Sequence, residues 1–116
     1  MLAVVDDDSA VRGSLQFSLE LEGYEVRVFS DARQLLNDPA IAHFDCIIID
    51  RNLPTFDGLE LAVQLRDRSV FVPVILTTSQ PSEFLARRAR SAGISIVEKP
   101  LLDNALVERI QALLQC

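Results

Sequence analysis

Apolar residues arrive along this chain in five short runs, at residues 2–5 (LAVV), 25–29 (EVRVF), 46–50 (CIIID), 73–78 (PVILTT) and 94–98 (ISIVE). Between them the spacing changes to helical. Val11, Leu15 and Leu19 repeat every four residues, Leu106, Ile110 and Leu113 every four and three, and the pattern predicts helices over 9–21, 31–36, 59–66, 82–92 and 103–114. Ser9, Asp31 and Asp103 are the expected N-caps, and Gly23 and Gly93 stand where the first and fourth helices should stop. The first, third and fourth strands are almost unbroken apolar runs, as strands covered on both faces are, while the second alternates as an edge strand would. Strict alternation of strand and helix predicts an α/β fold: a (βα)5 doubly wound, five-stranded parallel sheet with helices on both faces, forming one domain over residues 1–116. In such sheets the functional crevice lies outside the carboxyl ends of the strands.

Composition narrows the classes. A chain of 116 residues, 49% of them apolar, can bury a core without disulfides or a structural metal. Its apolar runs are strand-sized, far short of the roughly 18 residues that would cross a bilayer, and "MLAVVDDD" has neither a basic region nor a signal-length apolar stretch, so a cytoplasmic protein with no membrane contact is expected. Cys46 and Cys116 form no ligand cluster; they read as a buried small residue and a tail thiol. Seventeen acids against 11 bases, net −6, disfavour direct nucleic-acid binding, which depends on phosphate neutralisation. Ten of the bases are arginine, which singles out Lys99, the one lysine, as a compact ammonium.

Polar residues collect at the predicted carboxyl ends. Asp6, Asp7 and Asp8 follow the first strand, Asp50 ends the third, Thr77, Thr78 and Ser79 end the fourth, and Lys99 and Pro100 follow the fifth. Singly each has an ordinary explanation, since acids suit a helix start and threonines suit strands. Together they do not. Carboxylates about 4 Å apart repel by roughly 1 kcal/mol in water and about 4 kcal/mol at a protein-like dielectric, and Lys99 supplies only one positive charge. The deficit suits a hard divalent cation such as Mg²⁺, which takes carboxylate and phosphoryl oxygens, and Asp50 then reads as a nucleophile able to form an aspartyl-phosphate. A threonine hydroxyl and the ammonium would supply donors to the phosphoryl oxygens.

The acidic pair in "VVDDD", the aspartate in "IIIDRNLP", the glycine in "FDGLEL", the hydroxyl in "PVILTT" and the lysine-proline in "VEKP" occur in the order seen in bacterial two-component response-regulator receiver domains, which the chain resembles throughout. The resemblance implies the flavodoxin-like strand order 2-1-3-4-5. It makes Asp50 the phosphoacceptor, Asp7 and Asp50 direct Mg²⁺ ligands, Asp6 a ligand acting largely through water, and Asn52 a carbonyl ligand with its side chain near the attacking water. Thr78, with Thr77 as fallback, would sense the phosphoryl group. Lys99 would pair with it, and Pro100 would aim the lysine. The implied activity is phosphoacceptor signalling rather than enzyme catalysis, with slow autodephosphorylation whose rate Asn52 and Gln80 would tune. The implied partners are a sensor histidine kinase or phosphotransferase, a second copy through the face of the fourth helix, fifth strand and fifth helix, and an effector domain in a longer chain.

Several positions depart from that pattern. Ile96 stands where the family usually has the aromatic that couples the threonine to the output face, Leu101 where an aromatic often follows the lysine-proline pair, and Ser79 where Ala or Gly is typical. Arg87, Arg88 and Arg90 form either a solvated helix face or a dock for an acidic partner or second copy. His43 has no ligand-spaced companion and reads as a surface residue. Three other readings stay open. An aspartate-nucleophile phosphatase would want an acid where Asn52 lies, and a flavin or nucleotide carrier would be repelled by Asp6 to Asp8. The third, a degenerate receiver that binds protein without phosphorylation, is favoured mildly by Ile96.

Overall fold

Five parallel strands form one sheet in the order β2-β1-β3-β4-β5, as expected. The computed structural model describes residues 1–53, 56–99 and 104–114. The strands are β1 (Leu2–Val5), β2 (Val26–Phe29), β3 (Cys46–Asp50), β4 (Val74–Thr78) and β5 (Ile94–Glu98), and the helices α1 (Ser9–Leu21), α2 (Ala32–Leu36), α3 (Gly58–Asp67), α4 (Glu83–Ser91) and α5 (Ala105–Leu114). β1, β3 and β4 are buried along their whole length, while β2, at the edge, alternates.

The period-two geometry of the strands divides the core into two layers. Ala3, Val5, Ile47, Ile49 and Leu76 pack with Leu35, Leu61, Leu65 and Leu85 of α2, α3 and α4. Leu2, Val4, Ile48 and Ile75 pack with Leu19 of α1 and with Leu106 and Ile110 of α5. Helices thus cover both faces, and the apolar faces of this amphipathic set remove both sides of the sheet from water. Cys46 lies in the second layer, where burial pushes its thiol up to about 12 and leaves it unreactive.

Several boundaries differ from those expected. Asp8, not Ser9, caps α1: its carboxylate accepts from the backbone N–H of Ala10 at 2.9 Å and of Val11 at 3.4 Å. An anion there satisfies two orphan donors and faces the positive end of the helix dipole, so Ser9 becomes the first helical residue. Asp31 caps α2 as expected and Ser82 caps α4, whereas Asp103 lies outside the described residues. Glu25 and Pro73 precede their strands but still offer carbonyls to Leu2 and Ile47, at 2.7 and 2.9 Å. α3 extends one residue beyond the expected span at each end, and a 3-10 turn at Ile41–His43 was not legible as a periodic segment.

The end of α3 uses a side chain where a glycine would be easier. Ser69 adopts φ 64° and is the one non-glycine described at positive φ. Its N–H donates to the Arg66 carbonyl at 3.0 Å and that of Val70 to the Leu65 carbonyl at 2.9 Å, the paired bonds of a Schellman turn, with Val70 buried beyond it. Arg66 then ties three segments together. Its guanidinium donates to the carbonyls of Val70, Val72 and Ala92, each at 2.9 Å, and to that of Gly93 at 3.3 Å. The C-terminal ends of α3 and α4 are therefore held to the entry of β4 by charge-assisted bonds.

A left-handed conformation costs an L-residue roughly 1–2 kcal/mol, part of which glycine's greater freedom in the unfolded chain offsets. Ser69→Gly is expected to stabilise the fold by about 0.5–1 kcal/mol. Urea unfolding measures this, and an unchanged or lower midpoint would show that the turn is unstrained.

Candidate functional site

β1 and β3 are adjacent and in register, with Val5 opposite Ile49, so the residues that leave their carboxyl ends, Asp6 and Asp50, meet side by side. Both are buried, Asp6 to 3% and Asp50 to 5% of full exposure, while Asp7 is exposed. Each of Asp6, Asp7 and Asp50 offers a carboxylate oxygen within 4.8 Å of the other two. Asp6 is fastened by its backbone N–H to the Phe29 carbonyl at 3.1 Å and by its Oδ1, which accepts the Asp8 N–H at 2.9 Å.

Asp50 is held from one side only. Its Oδ1 accepts from Lys99 Nζ at 3.0 Å and from the Asn52 backbone N–H at 3.2 Å. Its Oδ2 accepts no hydrogen bond among the described residues. One oxygen is thus anchored and the other left available, the arrangement a carboxylate nucleophile needs. Lys99 reaches the site because its backbone N–H donates to the Thr78 carbonyl at 2.7 Å, joining the ends of β4 and β5.

Burial pushes the Asp6 carboxyl above its ordinary value, and the charges of Asp50 and Asp7 push the same way; the Asp8 N–H and Lys99 oppose them incompletely. Three carboxylates meet here, and among the described residues Lys99 is the one cation paired with any of them. The cluster's donors are all hard oxygens, and the set fits a small divalent cation better than a soft metal.

Gly58 makes the loop after β3 possible. A Cβ on this residue would run into the Asp50 carbonyl oxygen and lie 2.7 Å from Arg51 Cα and 2.9 Å from the Asp50 carbonyl carbon. The close approach lets the Gly58 N–H reach the Arg51 carbonyl at 2.7 Å, closes a bridge between Asn52 and Asp57, and brings Arg51 within 3.8 Å of the Asp57 carboxylate. The chain is folded back directly beneath the aspartate.

Residues 2–111 match the response regulator receiver domain family. The chain belongs to that family. Among curated relatives, the receiver domain is 33% identical over 110 residues to the transcriptional regulatory protein FixJ of Bradyrhizobium diazoefficiens, covering 94% of this chain and 54% of FixJ. It is 36% identical over 115 residues to the response regulator MprA of Mycolicibacterium vanbaalenii, covering 98% of this chain and 50% of MprA. The chain spans about half the length of the curated relatives it matches. Among solved structures, the chemotaxis protein CheY4 of Vibrio cholerae superposes with a TM-score of 0.87 at 29% identity, covering 97% of this chain and 96% of CheY4. The beryllofluoride-activated NtrC4 receiver domain, solved as a dimer, gives 0.88 at 26% identity over 98% of this chain and 95% of NtrC4.

The receiver fold gathers Asp6, Asp7, Asp50, Lys99 and the Asn52 amide into one crevice. Thr78 ends the neighbouring strand, buried, but its hydroxyl accepts the Gln80 N–H at 3.1 Å and is not bonded to Asp50. Thr77 is the residue paired with Asp50 across the sheet, and its hydroxyl lies 3.5 Å from the Ile49 carbonyl. The Asn52 side chain is exposed. Ile96 packs, half-buried, against the layer containing Leu76 and Leu85. Pro100 and Leu101 lie outside the described residues, as does Cys116. His43 is exposed in the 3-10 turn. In α4, Arg87 pairs with Glu83 at 3.3 Å, and Arg88 reaches Glu60 at 3.7 Å with its guanidinium 5.9 Å above the Phe84 ring. The sequence reading did not single out Arg66, which binds four backbone carbonyls, or Arg12, which binds that of Asp6.

Two outcomes follow for the site. Gly58→Ala is expected to destabilise the receiver domain by about 3 kcal/mol or more, since backbone and not a flexible side chain must yield; a loss under 1 kcal/mol in urea unfolding would show that the loop relaxes. Asp6→Asn is expected to raise the thermal midpoint in metal-free buffer. A carboxyl whose folded pKa lies above the ordinary 3.8 binds its proton more tightly when folded, so its contribution to stability falls as pH rises through that interval. The gain from Asp6→Asn should accordingly be larger at pH 7 than at pH 3, and equal gains would point away from charge.

Proposed function

We propose that this receiver domain is the phosphoacceptor module of a two-component system, with Asp50 as the residue modified. The observation that carries the reading is the one-sided anchoring of Asp50, with Oδ1 held by Lys99 and Asn52 and Oδ2 open beside two further carboxylates. Oδ2 attacks the phosphorus of a phosphohistidine or of a small donor such as acetyl phosphate. The new O–P bond forms as the P–N or P–O bond to the donor breaks, and the imidazole or acetate leaves with the bonding pair.

The residues divide the remaining work. Lys99, already at the carboxylate, pairs with the phosphoryl oxygens as charge moves onto them. The Thr78 hydroxyl, which only accepts a bond in this state, keeps its hydrogen to donate to the phosphoryl group. Asp6, Asp7, Asp50 and the Asn52 carbonyl would hold Mg²⁺, which when bound neutralises phosphoryl charge and lets the acidic crevice accept an anion. The Asn52 side chain, exposed at the mouth, and Gln80, bonded to Thr78, stand where they would set the lifetime of the acyl phosphate.

The readout is a changed surface formed by α4, β5 and α5, with a histidine kinase or phosphotransferase as donor and, by analogy with the NtrC4 receiver dimer, a second copy as one partner. Curated relatives twice as long suggest an effector domain in the full protein. A second reading, a protein-binding module that works without phosphorylation, draws on Ile96, whose aliphatic side chain is already packed on the core and carries no polar tip to rotate.

Intact mass after incubation with acetyl phosphate and Mg²⁺ tests the proposal. A gain of about 80 Da, one HPO₃, that requires the metal and is lost in Asp50→Asn is expected for an aspartyl nucleophile. If neither acetyl phosphate nor a phosphorylated histidine kinase adds mass, the unphosphorylated binding module becomes the better reading.

A further inference from the structure

Arg12 lies on the first turns of α1, half-buried, six residues after the first acid of the cluster. Its guanidinium donates to the backbone carbonyl of Asp6 at 2.7 Å. It forms no ion pair within 4 Å with any carboxylate among the described residues. A cation that bonds a backbone carbonyl and pairs with no carboxylate is placed to hold backbone and not to neutralise charge.

We infer that Arg12 is a positioning residue that fixes the β1–α1 turn and thereby the geometry with which Asp6 and Asp7 receive a divalent cation. This inference rests on the proposed metal-dependent reading of the site. Asp6 is tied at three points: its N–H to Phe29, its Oδ1 to the Asp8 N–H, and its carbonyl to Arg12. Asp7 has no such ties. No hydrogen bond or ion pair holds its exposed side chain among the described residues, so its position follows from the peptide between Asp6 and Asp8, the unit that Arg12 clamps. The helix carrying Arg12 begins at the Asp8 cap, so the bond also closes a ring from strand end through the turn to the second turn of α1. Bonding the carbonyl rather than a carboxylate keeps the guanidinium off the acidic oxygens, of which Asp6 Oδ1 is held by the Asp8 N–H and Asp50 Oδ1 by Lys99 and Asn52.

Charge and position predict opposite results when the guanidinium is removed. As a nearby positive charge, Arg12 would oppose a cation, and its loss would tighten binding. As a clamp, its loss would loosen the ligands, and outer-shell partners of this kind are worth roughly 10–100-fold in metal affinity.

The test is calorimetric titration of Mg²⁺ into the unphosphorylated chain and its variants, with thermal midpoints recorded in metal-free buffer. Arg12→Met, similar in length and without charge or donor, is expected to bind Mg²⁺ about tenfold more weakly or worse. Arg12→Lys, which can still reach with one donor, is expected to recover part of that loss. Unchanged or tighter binding by Arg12→Met overturns the inference. Should Arg12→Met fail to fold, Arg12→Gln carries the same comparison, because it is also neutral and the charge account again predicts tighter binding. Absence of Mg²⁺ binding by the wild-type chain overturns the metal-dependent reading itself, which distinguishes that failure from failure of the clamp.

Discussion

Lys99 brings one ammonium, at 3.0 Å, to a crevice where three carboxylates lie within 4.8 Å of one another, and much of the molecule serves to keep that imbalance in place. Left to itself such a cluster would relax toward water, because like charges at this distance cost several kcal/mol at an effective dielectric near 20. The fold prevents the relaxation by attaching each acid to a rigid strand end. Asp6 and Asp50 are nearly inaccessible to solvent, which raises the Asp6 carboxyl further. Stability surrendered here is recovered elsewhere, in two apolar layers that cover both faces of the sheet.

Backbone contacts do most of the positioning. Gly58 admits the chain under Asp50, Lys99 is reached through the Thr78 carbonyl, and Asp8 caps α1 while its N–H steadies Asp6. Arg66 plays a comparable part at the opposite end of the sheet, where four carbonyls from two segments meet one guanidinium. α4 is therefore secured at its C-terminal end, while its N-terminal end follows the Thr78 to Gln80 turn. A change at the acidic crevice thus meets α4 at the end that Arg66 does not hold.

The outward face of α4 is less uniformly basic than its sequence implies. Arg87 and Arg88 are each engaged by a glutamate and Arg88 also by Phe84, whereas Arg90 pairs with no acid among the described residues. Exposed pairs of this kind contribute little to stability, so the charges remain exchangeable for those of a partner. Phe84, largely exposed beside them, adds apolar area to the same face.

Much was legible from the chain alone. Unbroken apolar runs identified the strands buried on both sides, the alternation in 25–29 identified an edge, and the charged residues that end those runs identified the crevice, because hydrophobic period and burial are local consequences of residue order. Which oxygen of Asp50 is held and which is open was not legible, nor that Thr78 bonds Gln80 in this state, nor that Arg12 takes the Asp6 carbonyl. Boundaries were also settled late: Asp8 displaced Ser9 as a cap because a carboxylate serves the helix end better in place, and Ser69 entered a left-handed turn that no residue type announced. These features depend on distances between segments far apart in sequence. Residue order determines what each segment prefers, and only the packed tertiary structure decides which donor reaches which acceptor.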